Sequence, residues 1–268
     1  MPSEASGVRP TPAVELRAVS KEFRVQGKPF RALDNVSLSV APGEFVALIG
    51  PSGCGKSTLL NLVAGLELPT AGQVLCDGQP VRGPGADRGM VFQHHGLLPW
   101  MTAYDNVRFA LDCVLRERST AERDALARQY LQLVGLSGAL HKRPSQLSGG
   151  MKQRVGLARA FAANPRVLLL DEPFAALDAL TRATLQLALV QLWERERKTV
   201  LLVTHDIDEA IFLADRIVVF THGPAATIRA ALASPFPRPR DREALLEEPS
   251  YRALHRDLLA MLMAELAA

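Results

Sequence analysis

The sequence predicts an α/β fold whose core is a mostly parallel sheet with a phosphate-binding loop at one strand end. Three observations carry this. Short apolar runs of strand length, at Phe45–Ile49, 167–170, Thr199–Val203 and Arg216–Phe220, alternate with helical stretches, as a sheet buried on both faces requires. The stretch Gly50-Pro51-Ser52-Gly53-Cys54-Gly55-Lys56-Ser57 fits G-x-x-x-x-G-K-[ST] at every fixed position, directly between the first run and a helical one carrying Leu59, Leu60, Leu62 and Val63. The second run ends in the carboxylate pair Asp171-Glu172, followed by Pro173.

The elements follow in order. Residues 1–12 hold Pro2, Pro10 and Pro12, lack the apolar core of a signal peptide, and are expected to be a flexible tail. From 14 to 40 the pattern is strand-like, with Val36, Leu38 and Val40 alternating against Ser37 and Ser39. Shorter strands are expected at 73–76 and 89–92, separated by the loop Arg82-Gly83-Pro84-Gly85. From 102 to about 136 the period turns helical. Thr102 with Asp105, and Ser119 with Glu122, have capping-box spacing. A helical block is therefore inserted into the α/β core. The organisation expected is a nucleotide-binding domain over 13–221, its helical subdomain at about 96–165, then 222–268 as a linker and a terminal amphipathic helix. Pro224 and the run Pro235-Phe236-Pro237-Arg238-Pro239 mark the linker, and Tyr251, Leu254, Leu258, Leu262 and Leu266 mark one face of the helix.

Composition narrows the class. The chain has 268 residues, 48% of them apolar and 22% charged, as expected of a globular protein with a substantial core. The net charge of +3, from 31 basic and 28 acidic residues, carries no basic block, so no nucleic-acid partner is expected. Cys54, Cys76 and Cys113 fit no paired framework or metal spacing, which points to a reducing cytoplasm. The adjacent His94 and His95 point opposite ways on an extended segment and are not expected to form a metal site. No apolar run reaches the length of a membrane span.

The loop and the carboxylates specify the chemistry. Glycines let backbone amides converge on an anion, and the helix starting near Lys56 adds the positive end of its dipole. Lys56 is the cation for the outer phosphates, and the Ser57 hydroxyl is placed for Mg²⁺. Ligands of parallel sheets collect beyond the carboxyl ends of the strands, so Asp171 is expected to reach the same Mg²⁺ and Glu172 the position of an attacking water. Leu147-Ser148-Gly149-Gly150-Met151-Lys152-Gln153-Arg154 offers a hydroxyl and bare amides at the start of another helix, a second anion site.

In this order, Lys56, the Ser148-Gly149-Gly150 run, Asp171 and Glu172 closely resemble the motifs of the ATP-binding-cassette (ABC) ATPases over about 14–220. The resemblance implies a P-loop NTPase of the ABC ATPase type: a RecA-like core, an N-terminal antiparallel β subdomain and an inserted α-helical subdomain. It implies ATP and Mg²⁺ as ligands. Gly50, Pro51, Ser52, Gly53, Cys54, Gly55, Lys56, Ser57 and Thr58 match the nucleotide-binding loop, and Phe23 falls where the family stacks an aromatic on adenine. Gln93 resembles the glutamine that senses Mg²⁺ beside Ser57 and Asp171. Glu172, His205, Lys56 and Gln93 take the catalytic positions, although His205 read alone is a structural histidine. Ser148, Gly149, Gly150 and the D-loop aspartate Asp178 are implied to meet the nucleotide of a second copy, in a homodimer. The family also implies integral-membrane permease subunits, a periplasmic or lipid-anchored solute-binding protein, and a peripheral place on the cytoplasmic side of the bacterial inner membrane.

Within the family, Gly83-Pro84-Gly85-Ala86-Asp87-Arg88-Gly89 and Gly96-Leu97-Leu98-Pro99-Trp100 resemble ATPase subunits of taurine, sulfonate and nitrate importers, nearest to the taurine type. An energy-coupling importer subunit for taurine or related sulfonates is therefore expected, with nitrate or another small solute, or a soluble non-transport ABC ATPase, as alternatives. Trp100 is either an anchor for the permease or packed in the helical subdomain. A P-loop kinase or GTPase leaves 147–154 unexplained, and a dinucleotide-binding enzyme lacks its last glycine at Thr58.

Overall fold

The structure, a computed structural model, describes residues 11–93, 96–175 and 177–267. The paired histidines and all but the last two residues of the expected tail lie outside them. The chain opens with β1 (Val14–Val25), β2 (Lys28–Val40) and β3 (Phe45–Ile49), then α1 (Lys56–Ala64), β4 (Ala71–Cys76), β5 (Gln79–Pro80) and β6 (Arg88–Val91). A helical stretch follows: α2 (Ala103–Val114), α3 (Thr120–Leu133) and α4 (Gly149–Ala162). The core resumes with β7 (Val167–Asp171), α5 (Ala179–Glu196), β8 (Thr199–Val203), α6 (Ile207–Leu213) and β9 (Arg216–Phe220). It closes with β10 (Ile228–Ala233), α7 (Arg242–Glu247) and α8 (Pro249–Leu266).

Two sheets result. An antiparallel one has the order β2-β1-β4-β5, and a six-stranded one the order β10-β9-β3-β8-β7-β6. In the larger sheet β9, β3, β8, β7 and β6 pair in parallel, and only β10 is antiparallel. The alternation of side chains along its strands divides the core. Phe45, Ala47 and Ile49 of β3 pack with the helices α2 to α6 and α8. Val46 and Leu48 face the opposite way, onto α1 and the antiparallel sheet. All five are buried, which explains why β3 reads as an unbroken apolar run.

Both capping boxes form. Thr102 accepts from Asp105 N and Ser119 from Glu122 N, and each acidic side chain accepts in return from the backbone of its capping residue. Two features differ from the sequence reading. Where it has only a linker between Pro224 and Pro235, β10 extends the main sheet beside β9. Its burial alternates between intermediate and exposed, so an edge strand made largely of alanine leaves no contrast to read. In α8, Tyr251, Leu258 and Glu265 are buried at seven-residue spacing, and Leu266, one position off that face, is 66% exposed.

Candidate active site

The phosphate loop is set by the turn between β3 and α1. Gly53 and Gly55 have φ of 78° and 98°, the left-handed region open to glycine. At Gly55 a Cβ would also stand 2.8 Å from Leu33 Cδ2. The loop is drawn around Lys56, which is buried and donates from Nζ to Gly50 O and Pro51 O, both at 2.8 Å. Cys54 is buried beneath, its Sγ 3.6 Å from the same ammonium. Burial pushes the Cys54 thiol up, with Lys56 opposing.

Beyond the loop, Ser57 Oγ donates to Asp171 Oδ1 at 2.8 Å. Burial raises the Asp171 carboxyl, the Ser57 hydrogen bond opposes the rise, and the neighbouring Glu172 adds to it. Glu172 has φ of 44°, left-handed for a residue with a side chain, a conformation that costs on the order of 1–3 kcal/mol and collects at functional sites. Its Oε2 accepts from Gln93 Nε2 at 3.4 Å and lies 3.6 Å from His205 Nδ1. The strand order explains the meeting. β6, β7 and β8 are successive parallel neighbours, so the residues after their carboxyl ends, Gln93, Glu172 and His205, arrive side by side.

One cleft is lined by Phe23, Ser52, Gly53, Gly55, Lys56, Ser57, Thr58 and Glu172. Phe30 and Ala32 line it too, and the sequence reading does not include them. Phe30 is the cross-strand partner of Phe23 in the β1–β2 register, so a hairpin reading that paired the two aromatics was the available signal. Lys21 Nζ sits 4.8 Å from the centre of the Phe23 ring. Ser148, Gly149, Gly150 and Asp178 do not line this cleft. They form a second locus: Ser148 caps α4 by accepting from Met151 N, and Asp178 caps α5 by accepting from Thr181 N at 3.0 Å. The two caps touch, because a Cβ on Gly150 would stand 2.2 Å from Thr181 Cγ2. Hydrogen bonds from Thr181 hold the Asp178 carboxyl below its usual range.

A buried ammonium, a glycine-rich loop leading into a helix, and a half-buried carboxylate held at a strand end define a phosphate-loop nucleoside triphosphatase. The hydroxyl–carboxylate pair Ser57–Asp171 is the hard oxygen donor set that suits Mg²⁺. Among the described residues no cluster of three His, Cys, Asp or Glu forms a separate metal site.

Comparison with known proteins gives the family. A family model described as "ABC transporter" matches residues 33–175, and the chain belongs to the ABC transporter family. The nitrate import ATP-binding protein NrtD of Synechococcus elongatus is 53% identical over 262 residues, covering 98% of this chain and 95% of that protein. The bicarbonate transport ATP-binding protein CmpD of the same organism is 52% identical over 240 residues, covering 90% and 86%. Among solved structures, a dimeric ATP-binding cassette in a post-hydrolysis state with ADP and Pi is 35% identical. It superposes with a TM-score of 0.74, covering 84% of this chain and all of that one.

Proposed function

We propose that this chain is the ATP-hydrolysing, energy-coupling subunit of a membrane importer for a small inorganic oxyanion, nitrate or bicarbonate. The observation that carries the hydrolytic part is the Glu172 carboxylate held between Gln93 and His205, beside the Ser57–Asp171 pair. In this reading Lys56 and the α1 terminus hold the terminal phosphate oxygens. Ser57, Asp171 and Gln93 hold Mg²⁺, which when bound neutralises charge on those oxygens. Glu172 accepts a hydrogen bond from the attacking water and orients it in line, and His205, 58% exposed on the far side, faces the same space. Phe23 and Phe30 offer ring faces to the base.

Ser148, Gly149, Gly150 and Asp178 stand outside the cleft of their own chain, which supports a role on the nucleotide of a second copy. The dimeric state of the solved relative supports the same arrangement. The solute rests on the relatives. Those named above carry nitrate and bicarbonate in their names, so the sequence expectation of taurine gives way to these oxyanions. No helix among the described residues is long and apolar enough to cross a membrane. In this reading the cassette is peripheral on the inner face and acts through integral-membrane permease subunits. A solute-binding protein completes the proposed complex. Trp100, 67% exposed, is not packed in the helical subdomain and is available as the permease anchor.

The test is uptake of ¹⁵N-nitrate, ¹⁴C-bicarbonate and labelled taurine by cells lacking this chain, complemented with wild type or Lys56→Ala. Nitrate or bicarbonate uptake restored by the wild type alone is expected. Restoration of taurine alone overturns the solute, and restoration of none overturns the importer.

A further inference from the structure

Behind the cleft, a buried chain of hydrogen bonds joins the C-terminal segment to the strand end that carries His205. Arg242 Nη1 donates to Gln186 Oε1 at 2.6 Å, and Gln186 Nε2 donates to Glu209 Oε1 at 3.0 Å. Thr204 Oγ1 donates to Glu209 Oε2 at 2.6 Å. Gln186, Thr204 and Glu209 are all buried. Thr204 Oγ1 in turn accepts from Asp206 N, and Asp206 Oδ1 accepts from Glu209 N, both at 3.1 Å. His205 is thus an exposed residue flanked on both sides by residues tied to Glu209. The same cluster reaches the D-loop, because Arg182 donates to Asp206 Oδ2 and to Leu177 O, both at 3.2 Å.

The chain has a fixed polarity. A guanidinium only donates and an ionised carboxylate only accepts, so the amide of Gln186 between them fits in one orientation. Burial pushes the Glu209 carboxyl up, but both of its oxygens accept and Arg182 Nε lies 3.8 Å away, which favours the ionised form. An isolated buried carboxylate is costly, and this one does not line the cleft. Its partners explain how it is tolerated. Its placement one turn after His205 indicates what it does.

We propose that Glu209 is a positioning residue for hydrolysis: it fixes Thr204, and so the backbone that presents His205 to Glu172, with Gln186 relaying the same restraint to the C-terminal segment. This rests on the reading of His205 above. The polarity supplies a test that ordinary packing does not. Glu209→Gln keeps the shape but removes one acceptor. With its oxygen toward Thr204 it sets two donors against each other at Gln186 or, if that amide flips, at Arg242; with its oxygen toward Gln186 it takes away the acceptor of the Thr204 hydroxyl. Exchanging the two groups, Gln186→Glu with Glu209→Gln, restores a donor opposite every acceptor with the same net charge.

Steady-state hydrolysis by the full chain is measured for both of these, for Thr204→Val, which removes both the donor to Glu209 and the acceptor for Asp206 N, and for His205→Ala. Misplacement of a catalytic group by about 1 Å costs on the order of 100-fold, and a partial loosening about tenfold. Glu209→Gln and Thr204→Val are therefore expected to lose about tenfold in kcat, with KM for ATP within about twofold. The exchanged pair is expected to recover to within about threefold of wild type. Wild-type kcat in both single variants, with His205→Ala inactive, overturns the proposal alone, as does an exchanged pair no faster than Glu209→Gln. Normal hydrolysis by His205→Ala overturns it together with the reading of His205.

Discussion

Glu172 Oε2 lies 3.6 Å from His205 Nδ1, and the two residues reach each other because their strands are paired in parallel, Asp171 opposite Val203. Glu172 N donates to Val203 O at 3.0 Å, which locks the two loops at their roots. The left-handed φ of Glu172 then swings its side chain toward Gln93 and His205. The site is therefore a property of sheet order, with backbone strain added at one residue.

The aromatic pair at the cleft mouth makes a binding prediction. Phe23 and Phe30 face each other across β1 and β2, and both line the cleft. Base stacking is worth roughly 1–3 kcal/mol per aromatic removed. Phe23→Ala and Phe30→Ala are each expected to weaken ATP binding by about 1 kcal/mol, roughly fivefold, as read by titration of a fluorescent ATP analogue. Trp at either position is expected to retain affinity. Two alanine variants that both bind like wild type contradict the placement of the base.

Gly150 predicts a rescue. A methyl group there meets Thr181 Cγ2 at 2.2 Å, so Gly150→Ala forces α4 and the start of α5 apart. Overpacking of this kind costs about 1–3 kcal/mol. The Asp178 cap uses the backbone amide of Thr181, which Thr181→Ala leaves in place. Thermal melting is expected to show Gly150→Ala destabilised and Gly150→Ala with Thr181→Ala restored toward wild type. A double variant as unstable as the single one contradicts the contact.

The cysteines predict a pH dependence. Cys113 is exposed, whereas Cys54 and Cys76 are buried. Burial raises both buried thiols above the ordinary range, so the thiolate that reacts is scarce at neutral pH and grows only as pH rises through that elevated value. Iodoacetamide at pH 7.5 is expected to modify Cys113 first, with Cys54 and Cys76 following slowly and accelerating at higher pH. Peptide mass spectrometry over time reads the order. Rapid labelling of Cys54 at neutral pH contradicts the packing of the loop.

Much of this was legible in the sequence where one local rule sufficed. The apolar runs of β3, β7, β8 and β9 are buried on both faces and announce themselves, and the capping boxes at Thr102 and Ser119 need only a spacing of three. The phosphate loop and the 171–172 carboxylates are contiguous motifs. Features that depend on register were not legible. Phe30 enters the cleft only through its pairing with Phe23, and Glu209 reaches Gln186 across two helices. β10 is half-exposed and alanine-rich, so neither periodicity nor strand propensity marks it. Asp171 and Glu172 are adjacent in sequence yet face different partners, Ser57 and His205, a division made by backbone conformation.

The central claim is that the carboxylate between Gln93 and His205 carries hydrolysis, and Glu172→Gln tests it most directly. A positioned base contributes about 10² to 10⁴ in rate. Single-turnover hydrolysis and equilibrium ATP binding are measured side by side with Mg²⁺. The account predicts binding within about twofold of wild type and hydrolysis slower by about 10² or more, with the ATP-bound variant accumulating as a dimer. Hydrolysis by Glu172→Gln at the wild-type rate contradicts it.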